Sequence, residues 1–502
     1  MALLPILALL LLPLLSFLLL KGKSKNGKPF KLPPSPPSLP IIGNLHQIGA
    51  LPYRTLAEMS KKYGHVMLVR LGMASVVVVS TPEMAKEVLK NQDANMCSRA
   101  PLAGPRKISY DFKDIAFTPY GEWWREIRKI CTLELLSPKA VQSYLYVREE
   151  EIALMIDSIT KASSDPVDIS EKILSLTDAM ICRIAFGKVY KGRGFDNGKF
   201  SEAVRDAMAC LSNFSGEDFF PYFGRIIDIV TGHSARVDRA FRNLDNFFEK
   251  AIEDHLDLNR MKPEREDIID VLLRLKEEQS SRIHITKEHI KGVLKDVFLA
   301  SVDTSALSMV WAMTDLARHP SVMKKVQAEI RSHVGKKGKV QESDLEELDF
   351  FKAALKESWR LHPPSPMLIA RETMCDCKLD GYDIPDKTRI HVNVFAVHKD
   401  PRYWKNPDDY MPERFIENPL DVRGQSYEYL PFSSGRRVCP GINMGVAIVE
   451  LTVANLLYSF DWQLPKGMAT EDINMEESFN LTLNKKTPLI LVPTPYNWQE
   501  AF

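Results

Sequence analysis

The stretch that decides the fold of this chain is Phe432-Ser433-Ser434-Gly435-Arg436-Arg437-Val438-Cys439-Pro440-Gly441. It places one cysteine between turn-forming glycines and directly before an apolar segment, Ile442 to Phe460, that has helical spacing. A thiol at a helix N-terminus meets free backbone N–H groups and the positive end of the helix dipole, and both favour its thiolate. Such a thiolate is a metal ligand or a nucleophile, whereas an isolated cysteine is commonly only a small buried apolar side chain.

The surroundings of Cys439 favour a metal ligand over a nucleophile. No histidine lies within the segment to serve as a base. One cysteine cannot build a tetrahedral zinc or iron–sulfur site, but haem iron needs only one axial protein ligand. Arg437, two residues before the cysteine, is suited to pair with a haem propionate.

The segment fits Phe-x-x-Gly-x-Arg-x-Cys-x-Gly and so resembles the haem-binding signature of the cytochrome P450 family of haem-thiolate monooxygenases. The resemblance implies that Cys439 is the axial ligand of haem b, in a loop that includes Phe432 and Gly441. A thiolate ligand pushes electron density towards the iron and favours O–O cleavage. Other landmarks of the family follow in order over essentially the whole chain.

A second landmark is Ala300-Ser301-Val302-Asp303-Thr304-Ser305, within a predicted helix from Thr286 to Arg318. On helical grounds alone, the threonine hydroxyl is expected to bond to a carbonyl one turn earlier. The stretch also resembles the family's oxygen-activation motif, with Ser301 where glycine is usual. The resemblance implies that Thr304 assists oxygen activation beside Ala300 and that Asp303 connects it to a proton supply.

Two further groups of residues resemble family landmarks with structural and haem-binding roles. Glu357 and Arg360 are three apart on a predicted helix, and with Arg414 they resemble the E-x-x-R motif and its partner arginine, a buried network in the family. Arginine suits bidentate capture of carboxylates, and tryptophan adds an N–H donor. The predicted propionate-binding residues are Trp124, Arg128, Arg371 and Arg437, with Arg99 as a weaker fifth.

The composition and the N-terminus indicate a membrane-anchored enzyme. Net charge is +1 and 45% of residues are hydrophobic, which excludes a nucleic-acid binder; the seven scattered cysteines favour a reducing compartment. Residues 2–20 are uncharged and mostly leucine, and four lysines follow by residue 28, which keeps that side cytoplasmic. A cleaved signal peptide would need a preceding basic segment and a small-residue cleavage site, and neither is present.

These features predict three parts of the chain. They are a single transmembrane anchor over 1–20, a basic and Pro-rich hinge over 21–40, and one haem-thiolate catalytic domain over 41–502. Strands are expected at Val66–Arg70 and Ser75–Ser80, and later at Tyr382–Ile384 and Arg389–Val394, around a long helical body. The predicted fold class is mainly α (α+β), the cytochrome P450 fold with a small N-terminal β-rich region.

The source of electrons is expected to be another protein. The chain has no G-x-x-x-x-G-K-[ST] motif, and Asn197 breaks the dinucleotide fingerprint that Gly192-Arg193-Gly194 begins. NADPH electrons would therefore arrive through NADPH–cytochrome P450 reductase, with O2 as co-substrate. By resemblance, Arg125, Lys129 and Arg436 form a cationic patch for that acidic partner.

The resemblance also indicates where substrate binds. A hydrophobic substrate suits the mostly apolar side chains expected to line the pocket, and Asn480 adds a hydrogen-bonding group. The predicted pocket residues are Ile108, Phe112, Ile115, Phe214, Met367, Leu368, Ile369, Phe479, Asn480 and Leu481.

The sequence therefore predicts a plant microsomal monooxygenase of the A-type group (71 clan), on the endoplasmic reticulum membrane with its catalytic domain in the cytosol. It would oxidise a small hydrophobic specialised metabolite, with terpenoids ranked first and alkaloids or phenylpropanoids next. The alternatives are an oxygen-independent haem isomerase or dehydratase, against which Asp303 and Thr304 argue, and a non-catalytic haem-binding membrane protein.

Overall fold

The structure, a computed structural model, describes residues 30–162, 165–188, 197–212, 215–261, 264–278 and 282–498. The predicted membrane anchor over 1–20, the lysines that follow it and the predicted pocket residue Phe214 lie outside the described residues.

Helices form most of the described chain. In chain order they are α1 Pro52–Tyr63, α2 Pro82–Lys86, α3 Asp93–Met96, α4 Ala103–Ile108, α5 Glu122–Ile130, α6 Pro138–Ser143, α7 Leu145–Lys161, α8 Ile169–Phe186, α9 Asn197–Ser212, α10 Gly216–Phe219, α11 Gly224–Val230, α12 His233–Leu256, α13 Ile268–Glu278, α14 Lys287–Arg318, α15 Pro320–Val334, α16 Asp349–Leu361, α17 Val394–Val397, α18 Glu413–Glu417 and α19 Ile442–Ser459.

The strands are short and form small sheets. They are β1 Val66–Leu71, β2 Ala74–Val79, β3 Val167–Asp168, β4 Arg371–Glu372, β5 Cys377–Leu379, β6 Tyr382–Ile384, β7 Arg389–Val392, β8 Phe460–Gln463, β9 Glu477–Phe479, β10 Leu483–Lys485 and β11 Ile490–Pro495. The largest sheet has the order β1-β2-β7-β4, and a three-stranded sheet has the order β3-β11-β8.

The predicted N-terminal hairpin is present, but strands from much later in the chain complete its sheet. β1 pairs with β2 in antiparallel register from Val66↔Val79 to Leu71↔Ala74. The turn uses Gly72 at φ +61°, where a Cβ would lie 2.6 Å from the carbonyl oxygen of Phe219. β2 then pairs in parallel with β7, and β4 adds to the other edge of β7. The β-rich region is therefore not built from the N-terminal segment alone.

The long helix α14 lies at the centre of the helical body. It begins after Thr286, which forms a capping box with His289, and ends before Pro320, in agreement with the predicted bounds. Its 32 residues extend about 48 Å at 1.5 Å per residue. It packs against α8, α16 and α19, so that the segment containing Thr304 and the helix that follows Cys439 share one core.

Two described helices are long and apolar enough to span a membrane. They are α14 and α19, and 78% and 61% of their most apolar windows are buried. Both therefore serve as core helices of the fold.

Candidate active site

The loop before α19 holds Cys439 in a fixed backbone turn. Gly435 has φ +74°, and a Cβ there would lie 2.1 Å from the carbonyl oxygen of Leu89, so only glycine fits. The Cys439 N–H donates to the carbonyl of Phe432 at 3.0 Å and closes the loop. The thiol is half-buried and accepts a hydrogen bond from the backbone N–H of Gly441, the N-cap of α19.

Phe432 lies against the start of α19. Its ring packs edge-on against Trp359, with ring centroids 5.8 Å apart. A Cβ at Gly445 would lie 3.6 Å from the same ring. The aromatic side chain thus fixes the loop against both α16 and α19.

Opposing effects act on the pKa of the Cys439 thiol. Burial raises the pKa of Cys439 above its usual value, and the Gly441 N–H and the Arg128 charge lower it only in part. A bound metal ion would add positive charge that favours the thiolate.

Arg437 is buried beneath this loop, and within the described ranges its hydrogen-bond partners are backbone oxygens. Its guanidinium donates to the carbonyls of Cys97 at 2.8 Å, Thr118 at 2.7 Å and Ile115 at 3.3 Å. It also lies 4.0 Å from the ring centroid of Trp124. Burial, and in smaller part the charges of Arg371 and Arg128, lower the pKa of Arg437 to about 9.

Three more predicted propionate-binding arginines lie around Arg437. Arg371 donates to the buried carboxylate of Asp93 and to the Ser434 carbonyl, whereas Arg128 donates to the Val438 carbonyl. Arg99 is 7% exposed and donates to the carbonyls of residues 116, 369 and 370. Burial and then repulsion from Arg437 and Arg371 hold the pKa of Arg99 well below its usual value.

The indole N–H of Trp124 is already engaged within the protein. It donates to the Ile115 carbonyl at 3.0 Å, the same oxygen that accepts from Arg437. The sequence predicted this N–H as a donor to a ligand. In the structure this bond places the indole beside the guanidinium of Arg437, and the role of Trp124 at a propionate stays a prediction.

A buried ion triad that no motif singled out holds the segment 114–118 against α14. Lys295 bonds to Asp114 at 2.7 Å and to Asp296 at 2.5 Å, and all three side chains are 11% exposed or less. Asp296 accepts the N–H groups of residues 115 and 116 at 2.6 and 3.0 Å. Because the Ile115 and Thr118 carbonyls bind Arg437, the triad positions that guanidinium.

The oxygen-activation stretch lies in unbroken α-helix despite Ser301. The Thr304 hydroxyl donates to the Ala300 carbonyl at 2.6 Å, as expected from helical geometry alone. Asp303 lies in contact with the hydroxyl of Thr482, which is 179 residues away in sequence. Burial raises the pKa of Asp303, and the hydrogen bond from Thr482 opposes that rise.

The structure brings Glu357, Arg360 and Arg414 together in a buried network. Both Glu357 oxygens accept from Arg360, at 2.7 and 2.9 Å, and one also accepts from Arg414 at 2.9 Å. Glu357 and Arg360 are fully buried. Arg360 further donates to the carbonyls of residues 398, 407 and 409, so the network ties α16 to the segment before α18.

His398, which no sequence motif singled out, extends this network to the cysteine loop. Its Nε2 accepts the N–H of Leu430 at 2.8 Å, so the ring proton is on Nδ1, which donates to the Arg360 carbonyl at 3.1 Å. The ring is fully buried. Burial, and then the charge of Arg360, lower the pKa of His398 to about 3.

Acid is expected to destabilise the fold through His398. Its pKa is about 3 in the folded protein against about 6.5 when unfolded, so the unfolded state binds one more proton between these values. The free energy of unfolding should fall by about 1.4 kcal/mol per pH unit below pH 6.5 from this group. In denaturant titrations at pH 5 to 8, the free energy of unfolding of His398→Gln should fall less steeply towards acid pH than that of the wild type. The plots of unfolding free energy against pH for the two proteins should be parallel above pH 7. Equal slopes at pH 5 to 6 would contradict the lowered pKa of His398.

Several predicted pocket residues are core residues in the structure. Ile108, Ile115 and Met367 are buried to 6% exposure or less, the first two in the helical core and Met367 against Tyr53 and Leu483. The side chains that remain partly or fully exposed are Phe112, Leu368, Ile369, Phe479, Asn480 and Leu481. Those at 479–481 share one turn between β9 and β10, with Asn480 exposed at its tip.

The cysteine loop, α14 and the Glu357 network all lie within the match to one protein family. The family model described as Cytochrome P450 matches residues 33–492. The chain belongs to the cytochrome P450 family. It is therefore a cytochrome P450 monooxygenase that uses haem b, O2 and electrons derived from NADPH, with a reductase as redox partner and a small molecule as substrate.

Similar proteins include two plant cytochromes P450. The chain is 47% identical to "Cytochrome P450 71B34" of Arabidopsis thaliana over 479 residues, 94% of this chain and 95% of that protein. It is 44% identical to "2-methylbutanal oxime monooxygenase" of Manihot esculenta over 498 residues, 99% of this chain and 97% of that one. Among solved structures, a zebra fish cytochrome P450 with abiraterone matches at a TM-score of 0.75 and 24% identity, over 89% of this chain and 100% of that one.

The side chains of this cytochrome P450 fit a haem. In the described part of the chain, the guanidiniums of Arg99, Arg128 and Arg437 have backbone carbonyls and no carboxylate as partners. Buried cations arranged in this way are unfavourable until an anion joins them. Two propionates would supply that anion, and the half-buried thiol of Cys439 lies in the loop held by the same cluster.

Proposed function

We propose that Cys439 is the axial ligand of haem b and that Arg437, Arg371, Arg128 and Arg99 surround its propionates. The observation that carries this proposal is that three guanidiniums around the cysteine loop, those of Arg437, Arg99 and Arg128, have no carboxylate partner in the described part of the chain, whereas Arg371 pairs with Asp93. When bound, the haem supplies activation of O2 and transfer of one oxygen atom to the substrate.

The polypeptide supplies proton handling and positioning in this reaction. Thr304 presents a hydroxyl one turn from Ala300 on α14, and it must exchange its bond to the Ala300 carbonyl to donate elsewhere. Asp303, held by Thr482, is the carboxyl group that carries protons to this position. Asp303 and Thr304 are both partly exposed and lie beside exposed Ala300, so both side chains are open to proton exchange.

The substrate we propose is a small hydrophobic plant specialised metabolite, a terpenoid in the first instance. The half-exposed apolar side chains of Phe112, Leu368, Phe479 and Leu481 suit such a molecule, and exposed Asn480 offers one polar contact. An aliphatic oxime is a second candidate, because the Manihot esculenta relative named for an oxime substrate matches nearly the whole chain. Alkaloids and phenylpropanoids rank after these two.

Substrate-induced Soret shifts test this assignment. The ferric enzyme is titrated with representative terpenoids, aliphatic oximes, alkaloids and phenylpropanoids. Each compound that binds is then incubated with the enzyme, reductase and NADPH under 18O2. The proposal expects a product that carries one 18O atom and forms only with NADPH. A product formed from a hydroperoxide without reductase would instead establish an oxygen-independent isomerase or dehydratase.

We further propose that the protein lies on the endoplasmic reticulum membrane, anchored by residues 1–20 with its catalytic domain in the cytosol. Exposed apolar side chains support this orientation at two places. The first set lies in the hinge and directly after it, at Phe30, Leu32, Leu39 and Ile42, and the second lies in α11 and directly before it, at Tyr222, Ile226, Ile229 and Val230. The β1–β2 hairpin connects the two sets, since Asn44 N–H donates to Arg70 and Met73 N–H donates to Phe219.

A fluorescent label at residue 229 is expected to enter the lipid. Ile229→Cys and, as a matched control, Leu154→Cys are prepared in the full chain with Cys375→Ser; Ile229 and Leu154 are 62% and 61% exposed. In nanodiscs, spin-labelled lipid should quench a dye at residue 229 at least about twofold more than one at residue 154. Equal quenching at both sites would contradict the proposed orientation.

The proposed redox partner is NADPH–cytochrome P450 reductase. Arg125 and Lys129 are exposed one turn apart on α5, next to Arg128 beneath the cysteine loop. Arg436, the third predicted cation, pairs with Asp93 at 2.9 Å while its side chain stays 47% exposed. The patch therefore offers two unmasked cations and one partly neutralised cation to an acidic partner.

A further inference from the structure

We propose that Thr482 is a positioning residue that holds the carboxylate of Asp303, and that Asn484 fixes the direction of its hydroxyl. The inference rests on the proposed role of Asp303 as the carboxyl group in proton delivery. It adds a residue from the β9–β10 turn, which also carries the predicted substrate-contacting residues, to the proton-handling machinery of α14.

The hydroxyl of Thr482 has one available direction for its proton. The Asn484 side-chain amide donates to the Thr482 Oγ1 at 3.2 Å and to the Thr482 carbonyl at 3.3 Å. An ionised carboxylate can only accept hydrogen bonds, so the hydroxyl donates to the Oδ2 of Asp303. Thr482 is 4% exposed, and water therefore competes little for this bond. The geometry is a directed chain from Asn484 through Thr482 to Asp303.

The turn that carries Thr482 is anchored independently of Asp303. Leu483 N–H donates to the Pro364 carbonyl at 3.0 Å, and its own carbonyl accepts the indole N–H of Trp311 at 3.1 Å. At the far end of the hairpin, Glu477 accepts from Tyr53 at 2.5 Å and from Arg54 at 2.6 Å. A turn held in this way is a rigid support, so Thr482 orients Asp303 rather than following it.

The consequence concerns the protonation of Asp303 at working pH. Burial favours the neutral acid, and the hydrogen bond from Thr482 favours the carboxylate. Without the hydroxyl, the carboxyl should hold its proton to a higher pH and lose its fixed orientation. Because the same turn carries Phe479, Asn480 and Leu481, a substrate that displaces the turn would also displace the acid.

The experiment compares Thr482→Val, which removes the hydroxyl at nearly constant volume, with Thr482→Ser, which keeps it. The full-length ferric holoenzyme without substrate is titrated by infrared difference spectroscopy, and the carboxyl band of Asp303 is assigned by its loss in Asp303→Asn. We expect the midpoint to rise by about one to two pH units in Thr482→Val and to stay at the wild-type value in Thr482→Ser. Asn484→Ala should give a smaller rise.

A second readout uses reductase and NADPH without substrate, and follows the fraction of NADPH electrons that forms hydrogen peroxide rather than water. Thr482→Val should increase the peroxide-forming fraction towards the value measured for Asp303→Asn, and Thr482→Ser should keep it at the wild-type value. The pH dependence of this fraction in Thr482→Val should shift by the same number of pH units as the infrared midpoint. An unchanged infrared midpoint in Thr482→Val, while Asp303→Asn alters the fraction, would overturn the inference about Thr482 alone. An unchanged fraction in Asp303→Asn would overturn the proposed role of Asp303 itself.

Discussion

Glu357→Gln is expected to lower the free energy of unfolding by about 3–5 kcal/mol and to release haem from much of the expressed protein. The carboxylate of Glu357 is the only anion bonded to Arg360 and Arg414 in the described part of the chain. Both Glu357 and Arg360 are fully buried, so the glutamine leaves a charge that water cannot solvate. Denaturant titration and the haem-to-protein absorbance ratio measure the two effects.

The matched control for this substitution is Glu58→Gln. Glu58 and Lys61 have the same i,i+3 spacing as Glu357 and Arg360, but both of their side chains are 71% exposed. Surface pairs of this kind contribute about 1 kcal/mol or less. Similar losses in the two variants would show that the Glu357 network does not stabilise the haem-binding region as the structure indicates.

Cys439→Ala is expected to reduce NADPH-dependent turnover by more than about 100-fold. Loss of an outer-shell partner alone costs a metal site about 10–100-fold, and this substitution removes the ligand itself. The fold should persist, because the loop is also closed by the bond from the residue 439 N–H to Phe432, which alanine keeps. Product formation and far-ultraviolet circular dichroism test the two statements.

Cys375→Ala controls for the loss of a thiol. Cys375 is exposed and lies in the segment before β5. Its removal should leave turnover and the haem spectrum at wild-type values. Retention of turnover in Cys439→Ala would require a different ligand for the iron.

The sequence was informative where structure depends on short-range signals. The glycines of the cysteine loop are required by local backbone geometry, as Gly435 at φ +74° shows, so a motif records them. The bounds of α14 follow from a capping threonine and a proline at its two ends, and the structure confirms both. The β1–β2 hairpin was equally predictable, because two segments that contain β-branched residues flank one glycine turn.

Contacts between distant parts of the chain were not predictable. Thr482 and Asp303 are 179 residues apart, and Arg371 and Asp93 are 278 apart, so no spacing rule relates them. Lys295, Asp114 and Asp296 look like ordinary surface charges in sequence, and only packing of α14 buries them. The thiolate of Cys439 was expected from its place at a helix N-terminus and stays a prediction, whereas the burial that raises its pKa depends on packing that the sequence does not show.

The central claim is that a cysteine thiolate at residue 439 holds the haem iron. The most direct measurement is the carbon monoxide difference spectrum of the reduced, purified full-length protein. The account predicts the red-shifted Soret band of thiolate-ligated haem, present in Cys375→Ala and lost in Cys439→Ala. A wild-type spectrum typical of imidazole-ligated haem, or protein purified without haem, would contradict it.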